Sequence, residues 1–281
     1  MPNKAHATWS AVEPDLEAVN RRYVNPIESL AQAQCPAFVL RRAYSPDHCR
    51  SLVRRFIDMG LMRDASEQRS ADDVRPRIDI GTSLGNRGND KARFLEHAET
   101  THFLFNFLFK GFDNPIECVY KSLEALCPGK EVKTAYEPDG RLYGPAIFRI
   151  HYEGQHYKPH IDHIVLREGR TDYSVYRFEH QFAGVLCLQN ADGRGPGAQS
   201  ILHQCLWTPE VQPHIAENAF YSYAQANDIG QCEVSLEPGD LYFFNTRLVH
   251  EVPAIIGDQA RVVLAVFIGY SAEDREVLVW S

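Results

Sequence analysis

The hydrophobic pattern of this 281-residue chain changes period once, near residue 145. Before that point it is helical. Ser45-Pro46-Asp47 combines a hydroxyl cap, a proline at the first helical position and an acid in the first turn. Cys49, Leu52, Val53, Phe56 and Ile57 then recur at helical spacing, and Gly60 closes the element. A second helical stretch covers about 91–110, and a third opens at Asn114-Pro115, buries Ile116, Val119, Tyr120 and Leu123, and stops at Pro128-Gly129. After residue 145 the runs are short and β-rich: 146–150, 185–188, 241–244 and 261–268. Turns punctuate them, such as Glu237-Pro238-Gly239-Asp240 and the glycine-rich 192–197 segment. Helices first and strands after, without alternation, argue against a parallel doubly wound sheet. The pattern predicts a mainly β fold with N-terminal helices, built as an antiparallel double-sheet barrel or jelly roll.

Within that frame, residues 1–34 are polar, Ala-rich and weakly periodic, and are expected to form a loosely held arm. Residues 35–281 are expected to make a single domain, with 35–144 as helical support and 145–281 as the β core. The stretch 207–231 is too long for a hairpin loop; a helix over 215–226 would make it a lid-like insertion. Phe38-Val39-Leu40 suggests one short strand ahead of the helices.

Composition narrows the function. Hydrophobic residues make up 44% of the chain and aromatics 11%, enough for one large core. The net charge of −8 argues against a nucleic-acid or membrane-surface partner, since both favour basic stripes. No run approaches the ~18–20 apolar residues of a spanning helix, and the first residues lack the apolar centre of a signal peptide. Seven cysteines without a CxxC pair read as buried, reduced thiols, and a cytoplasmic location is expected.

The informative segment runs Tyr152-Glu153-Gly154-Gln155-His156-Tyr157-Lys158-Pro159-His160-Ile161-Asp162. On a strand, residues two apart face the same way, so His160 and Asp162 can offer an imidazole and a carboxylate to one metal. His250 from a distant strand would complete a two-histidine, one-carboxylate face, the pattern associated with non-haem Fe(II) oxygenases. An HxD pair alone is weak in a chain with 12 histidines. Its weight comes from Pro238-Gly239-Asp240 leading into an aromatic strand, then His250, then Arg261 on the next β-run. A buried arginine there can grip a carboxylate bidentately.

With these residues the chain resembles the Fe(II)/2-oxoglutarate-dependent oxygenases. The segment 152–162 is similar to the prolyl 4-hydroxylase type. The whole of 35–281 resembles the small-molecule branch that contains the N-substituted amino acid hydroxylase and the free-standing indole-alkaloid halogenases. Residues 150–154, Trp207-Thr208-Pro209-Glu210, the Pro238-Gly239-Asp240 strand and the ending Val279-Trp280-Ser281 carry that likeness. The resemblance implies a double-stranded β-helix, iron held by His160, Asp162 and His250, and 2-oxoglutarate paired through its far carboxylate with Arg261. It also implies that Tyr152 hydrogen-bonds the cosubstrate, and that O₂ is consumed with release of succinate and CO₂. The Arg-x-Ser pattern of plant-type members is here Arg261-Val262-Val263, so a hydroxyl helping Arg261 must come from elsewhere. Halogenases of the group replace the ligand carboxylate by Gly or Ala; Asp162 is present, which favours hydroxylation.

The expected activity is hydroxylation of a small molecule, an amino acid derivative or specialised metabolite. A prolyl-type peptide hydroxylase and a non-catalytic binding barrel are the alternatives. Arg149, Trp207 and Asn245 are candidate substrate residues. The rival pair His151 and Glu153 is expected to be structural, as are the aromatics Phe220, Tyr221 and Tyr223, and His156 and His163 are expected to be exposed or to support the ligands. The charged 63–75 stretch reads as a solvated or mobile loop, with gating of the site as the alternative.

Overall fold

The computed structural model describes residues 9–65, 75–191 and 198–281. Most of the charged 63–75 stretch (66–74), the 192–197 turn and residues 1–8 lie outside the described residues. The helices of the N-terminal half are α1 (Leu16–Arg22), α2 (Pro26–Ala31), α3 (Pro46–Asp58), α4 (Leu84–Arg87), α5 (Lys91–Leu108) and α6 (Pro115–Leu126). Their starts follow the sequence signals: the Ser45 hydroxyl accepts from the His48 N–H and the Asn114 side chain from the Ile116 N–H.

Two sheets form the body. The larger joins β1 (Ala37–Leu40), β2 (Ile78–Gly81), β3 (Glu131–Thr134), β4 (Ile147–His151), β6 (His180–Gln189), β9 (Leu241–Asn245), β11 (Arg261–Tyr270) and β12 (Glu276–Trp280). The smaller has the order β5-β10-β7-β8, from β5 (Tyr157–His160), β7 (Ala198–Leu206), β8 (Gln231–Ser235) and β10 (Leu248–Val252). Pairing is antiparallel throughout except between β12 and β3. The mainly β, double-stranded β-helix class with N-terminal helices is therefore the class observed.

Side-chain alternation explains why the central strands read as unbroken hydrophobic runs. On β11, Val262, Leu264, Val266 and Ile268 join the core beneath the helices, while Val263 and, partly buried, Ala265 face the second sheet. On β6 the same split sends Phe182, Leu186 and Leu188 one way and Ala183, Val185 and Cys187 the other. Both faces are covered, one by helices and one by the smaller sheet, so both parities are apolar. The turn into β9 depends on Gly239 at φ +98°, where a Cβ would come 2.4 Å from the Tyr44 carbonyl oxygen.

Two expectations are corrected. The N-terminal stretch is not loose over its described part. Val12 exchanges hydrogen bonds with Ala37 and Val39, and Val19, Ile27 and Leu30 are buried in the main core. Its helices are too short to show a period, but their few apolar residues find a partner in the back of the sheet. The 207–231 insertion holds α7 (Gln212–Ala216) and α8 (Phe220–Ala226), divided near Asn218, whose φ is +57°. These helices pack Val211 and Phe220 on Ile161 and Val249, outside the small sheet, and no residue of 207–231 lines the main cavity. All seven cysteines are free, and among the described residues no helix is long and apolar enough to cross a membrane.

Candidate active site

β5 and β10 lie side by side with His160 and His250 as register partners. Asp162 follows β5, where its N–H donates to the Thr246 carbonyl at 3.0 Å. The Asp162 Oδ2 atom stands 3.8 Å from His160 Nε2 and 3.6 Å from His250 Nε2. Ligand atoms of all three residues fall within 4.8 Å of one another, and this is the one such His/Cys/Asp/Glu group among the described residues. Each histidine places Nδ1 on a carbonyl two residues earlier in its own strand: His160 on Lys158 at 2.7 Å and His250 on Leu248 at 2.8 Å. With Nδ1–H donating, the Nε2 lone pairs point at the shared centre.

The electrostatics suit a cation. Burial, aided by the facing His250, pushes His160 down to about 4, so it is neutral at pH 7 with its lone pair free. Burial alone would raise the Asp162 carboxyl, but His250, His160 and Arg167 outweigh it and hold it well below the usual carboxylate range. Arg167 bonds the other Asp162 oxygen and the Ile161 carbonyl. Two imidazole nitrogens and one carboxylate make a donor set that fits Fe(II), with one face left for other ligands.

The centre opens into a cavity of about 390 Å³ between the two sheets, near the lower end of the roughly 300–1,000 Å³ range of small-molecule pockets. Arg261 lies on its wall, 4% exposed. Its guanidinium donates to the Gln199 side chain and carbonyl and approaches His151 Nδ1 at 3.3 Å. No carboxylate among the described residues lies within 4.0 Å of it. Burial lowers its pKa, yet a guanidinium stays charged in a protein, and a buried unpaired charge is costly unless a ligand pairs it.

Strand alternation decides the fate of the remaining candidates. On β4, Ile147, Arg149 and His151 line the cavity, whereas Phe148, Ile150 and, just past the strand, Tyr152 enter the core under the helices. Tyr152, expected at the cosubstrate, thus points away; its hydroxyl accepts from the Arg63 N–H at 3.1 Å. Tyr157 takes the place beside the site, bonded to Arg77 and 3.4 Å from His151 Nε2. Arg149 faces the cavity as expected. Trp207 does not; it packs outside the small sheet and donates to Gln212 at 2.6 Å. Asn245 is also misplaced by the expectation: it donates to the Leu30 and Ala31 carbonyls at 3.2 and 3.0 Å, tying α2 to the sheet.

His151, read as structural, belongs to the cavity, and its parity with Arg149 is the signal that could have placed it there. Burial, then Arg261, Arg149 and Arg77, push it down to about 2. Glu153 is exposed, so the rival pair makes no site. His163 is buried and its Nδ1 accepts from the Val165 and Leu166 N–H groups, and His156 is exposed. Gln199, which holds Arg261, left no mark in the sequence. Phe220 is core, while Tyr221 bonds Glu251, which also meets His203 at 3.0 Å.

Comparison with known proteins agrees with this geometry. The N-substituted L-amino acid dioxygenase of Burkholderia ambifaria AMMD superposes with a TM-score of 0.59 at 13% identity, covering 91% of this chain and 90% of that one. The same enzyme in complex with alpha-KG gives 0.56 at 12% identity over the same shares. Likeness at this identity shows the fold. No functionally curated protein matches the sequence. The family model described as carrier-protein-independent halogenase WelO5 matches residues 10–281, nearly the whole chain. The chain therefore belongs to the WelO5 halogenase family of iron- and 2-oxoglutarate-dependent oxygenases, and it is an oxidoreductase that uses iron, 2-oxoglutarate and O₂.

Proposed function

We propose that this enzyme hydroxylates a small molecule, an amino acid derivative or a specialised metabolite, with iron held by His160, Asp162 and His250 and 2-oxoglutarate by Arg261. The observation that carries the reading is the Asp162 carboxylate facing two Nε2 atoms at 3.6 and 3.8 Å. Iron with 2-oxoglutarate and O₂ supplies the oxidising power for C–H hydroxylation, releasing succinate and CO₂. The chain's own residues do the rest. Arg261, oriented by Gln199 and His151, binds the far carboxylate of the cosubstrate. Ala183, Val185, Val263 and Ala265 form an apolar wall against which the non-polar part of a substrate can pack.

The family match motivates halogenation as the second reading. A halide would have to take the position that Asp162 fills, and a carboxylate there supplies the negative charge a halide would bring. The small cavity, and the substrate named for the B. ambifaria enzyme, favour a compact substrate over a peptide.

The test is anaerobic. Fe(II) and then 2-oxoglutarate added to metal-free protein should produce the visible charge-transfer band of a chelated keto acid, and His160→Ala should abolish it. Folded, iron-loaded protein without the band would overturn the cosubstrate assignment. Chlorinated product formed in the presence of chloride by the unaltered enzyme would replace hydroxylation with the second reading.

A further inference from the structure

Five arginines line the cavity, Arg77, Arg149, Arg167, Arg170 and Arg261, against two acids, Asp162 and Glu168. The excess of positive charge stands out in a chain whose net charge is −8. Three of the five are matched: Arg77 to Asp79 at 2.7 Å, Arg170 to Glu168 at 2.6 Å, and Arg167 to Asp162. Arg261 and Arg149 have no carboxylate within 4.0 Å among the described residues. Arg261 is taken by the cosubstrate in the reading above. Arg149 is left over.

Its surroundings do not explain it. Arg149 sits in the middle of β4, opposite Asp79 on β2 and Val263 on β11. Asp79 is the acid in register with it, but the Asp79 Oδ2 atom is held by Arg77 and by Asn86 at 2.6 Å. The Arg149 Nε atom is buried without a hydrogen-bond partner. A buried unmade bond to a charged group costs about 1–3 kcal/mol or more, so the arrangement makes sense when something fills it. That something must accept hydrogen bonds, because a guanidinium donates five and accepts none, and the unmatched positive charge selects an anion over a neutral acceptor.

The cosubstrate is not that anion. 2-Oxoglutarate has two carboxylates; in this reading one joins the keto group at the iron and the other meets Arg261. Arg149 lies two residues from His151, the register partner of Arg261, which puts it about 7 Å farther along the strand. A second anion is needed there, and the free occupant of the cavity is the substrate.

We propose that the substrate carries a small oxyanion, a carboxylate in the first instance, and that Arg149 binds it and so determines specificity. This rests on the function proposed above and names the substrate class for the same cavity. Arg149 holds the acid group while the apolar wall takes the rest of the molecule, which fixes the carbon presented to the iron.

The experiment uses enzyme loaded anaerobically with Fe(II) and 2-oxoglutarate, with the charge-transfer band as the readout. The probes are N-acetyl-L-amino acids and aliphatic carboxylic acids of graded size, each beside its methyl ester. At least one acid should shift the band at a concentration ten-fold or more below its ester, and stimulate succinate release in air. Arg149→Gln should remove that preference while the 2-oxoglutarate half-saturation stays within two-fold, and Arg149→Lys should restore part of it. A retained band in both variants shows that each is folded and loaded. A panel in which no acid outperforms its ester in the unaltered enzyme overturns the proposal. So does an Arg149→Gln protein whose 2-oxoglutarate requirement rises as far as that of Arg261→Ala, which would give Arg149 to the cosubstrate. Absence of the band in unaltered enzyme overturns the functional reading and this inference with it; a normal band without acid preference overturns this inference alone.

Discussion

His160 and His250 face each other across the β5–β10 pair with ring centroids 4.3 Å apart. Each has its Nδ1 on a carbonyl of its own strand, so neither ring can turn without breaking a hydrogen bond. Backbone pairing thus sets the spacing of two ligands, and Asp162, pinned by the Thr246 carbonyl, closes the third corner. Ligands held in place by strand pairing and by hydrogen bonds to their own backbone favour tight and selective metal binding.

If the three residues act as a unit, removing any one should disable the site. Asp162→Ala and His250→Ala, each folded by circular dichroism, are expected to lose hydroxylation by more than about 100-fold, as support and ligand losses commonly do. Succinate formed per unit time under saturating Fe(II) checks this. Unchanged turnover in His250→Ala would move the third ligand to another histidine.

Arg261 is buried and paired with no acid, so its substitution should be felt in the cosubstrate and not in the metal. Arg261→Ala is expected to raise the 2-oxoglutarate requirement on the order of 100-fold, the equivalent of a charged hydrogen-bonded contact of about 3 kcal/mol. Iron binding should be largely kept. Tyr152→Phe should leave the requirement within two-fold, because its hydroxyl serves the Arg63 backbone on the far side of β4. Titration of the charge-transfer band reads both.

Asn245 should matter for stability and not for chemistry. Its amide donates to two carbonyls near the end of α2 and its oxygen accepts from the Arg247 N–H at 2.9 Å. Asn245→Ala is expected to cost about 2–3 kcal/mol in urea unfolding, since buried backbone groups lose their partners. The band formed with Fe(II) and 2-oxoglutarate should survive. A stable variant that cannot form the band would return Asn245 to the active site.

His151 gives the fold an acid-sensitive group. Its pKa is about 2 when folded, against an ordinary 6.5, so between those values the unfolded chain binds the extra proton. The stability due to neutral, buried His151 is complete above pH 6.5 and is lost as pH falls toward 2. From pH 6.5 to 5 this one group should remove about 2 kcal/mol. Chemical denaturation at pH 7, 6 and 5 should show the decline, and His151→Asn should flatten it. An identical slope in the variant would assign the acid sensitivity to other groups.

Several features needed only the sequence. Ser45-Pro46 and Asn114-Pro115 marked helix starts because capping is chemistry between near neighbours. The run 261–268 was legible as a strand, and the His160–Asp162 spacing placed two ligands on one side, because a strand alternates every two residues whatever surrounds it. The same period tied His151 to Arg149. What the period cannot say is which face meets the cavity. That depends on the partner sheet, and so Tyr152 was expected at the site when its parity with Ile150 puts it under the helices. Asn245 and Trp207 were misplaced for the same reason, as the docking of α2 brings Leu30 to Asn245 and the packing of the insertion on Ile161 and Val249 carries Trp207 outside the small sheet. The union of His160 with His250, the seat of Gln199 against Arg261 and the unmatched state of Arg149 each join residues distant along the chain. Local sequence determines the direction of each side chain within its own element; only the packing of elements decides which charges find a partner and which are left for a ligand.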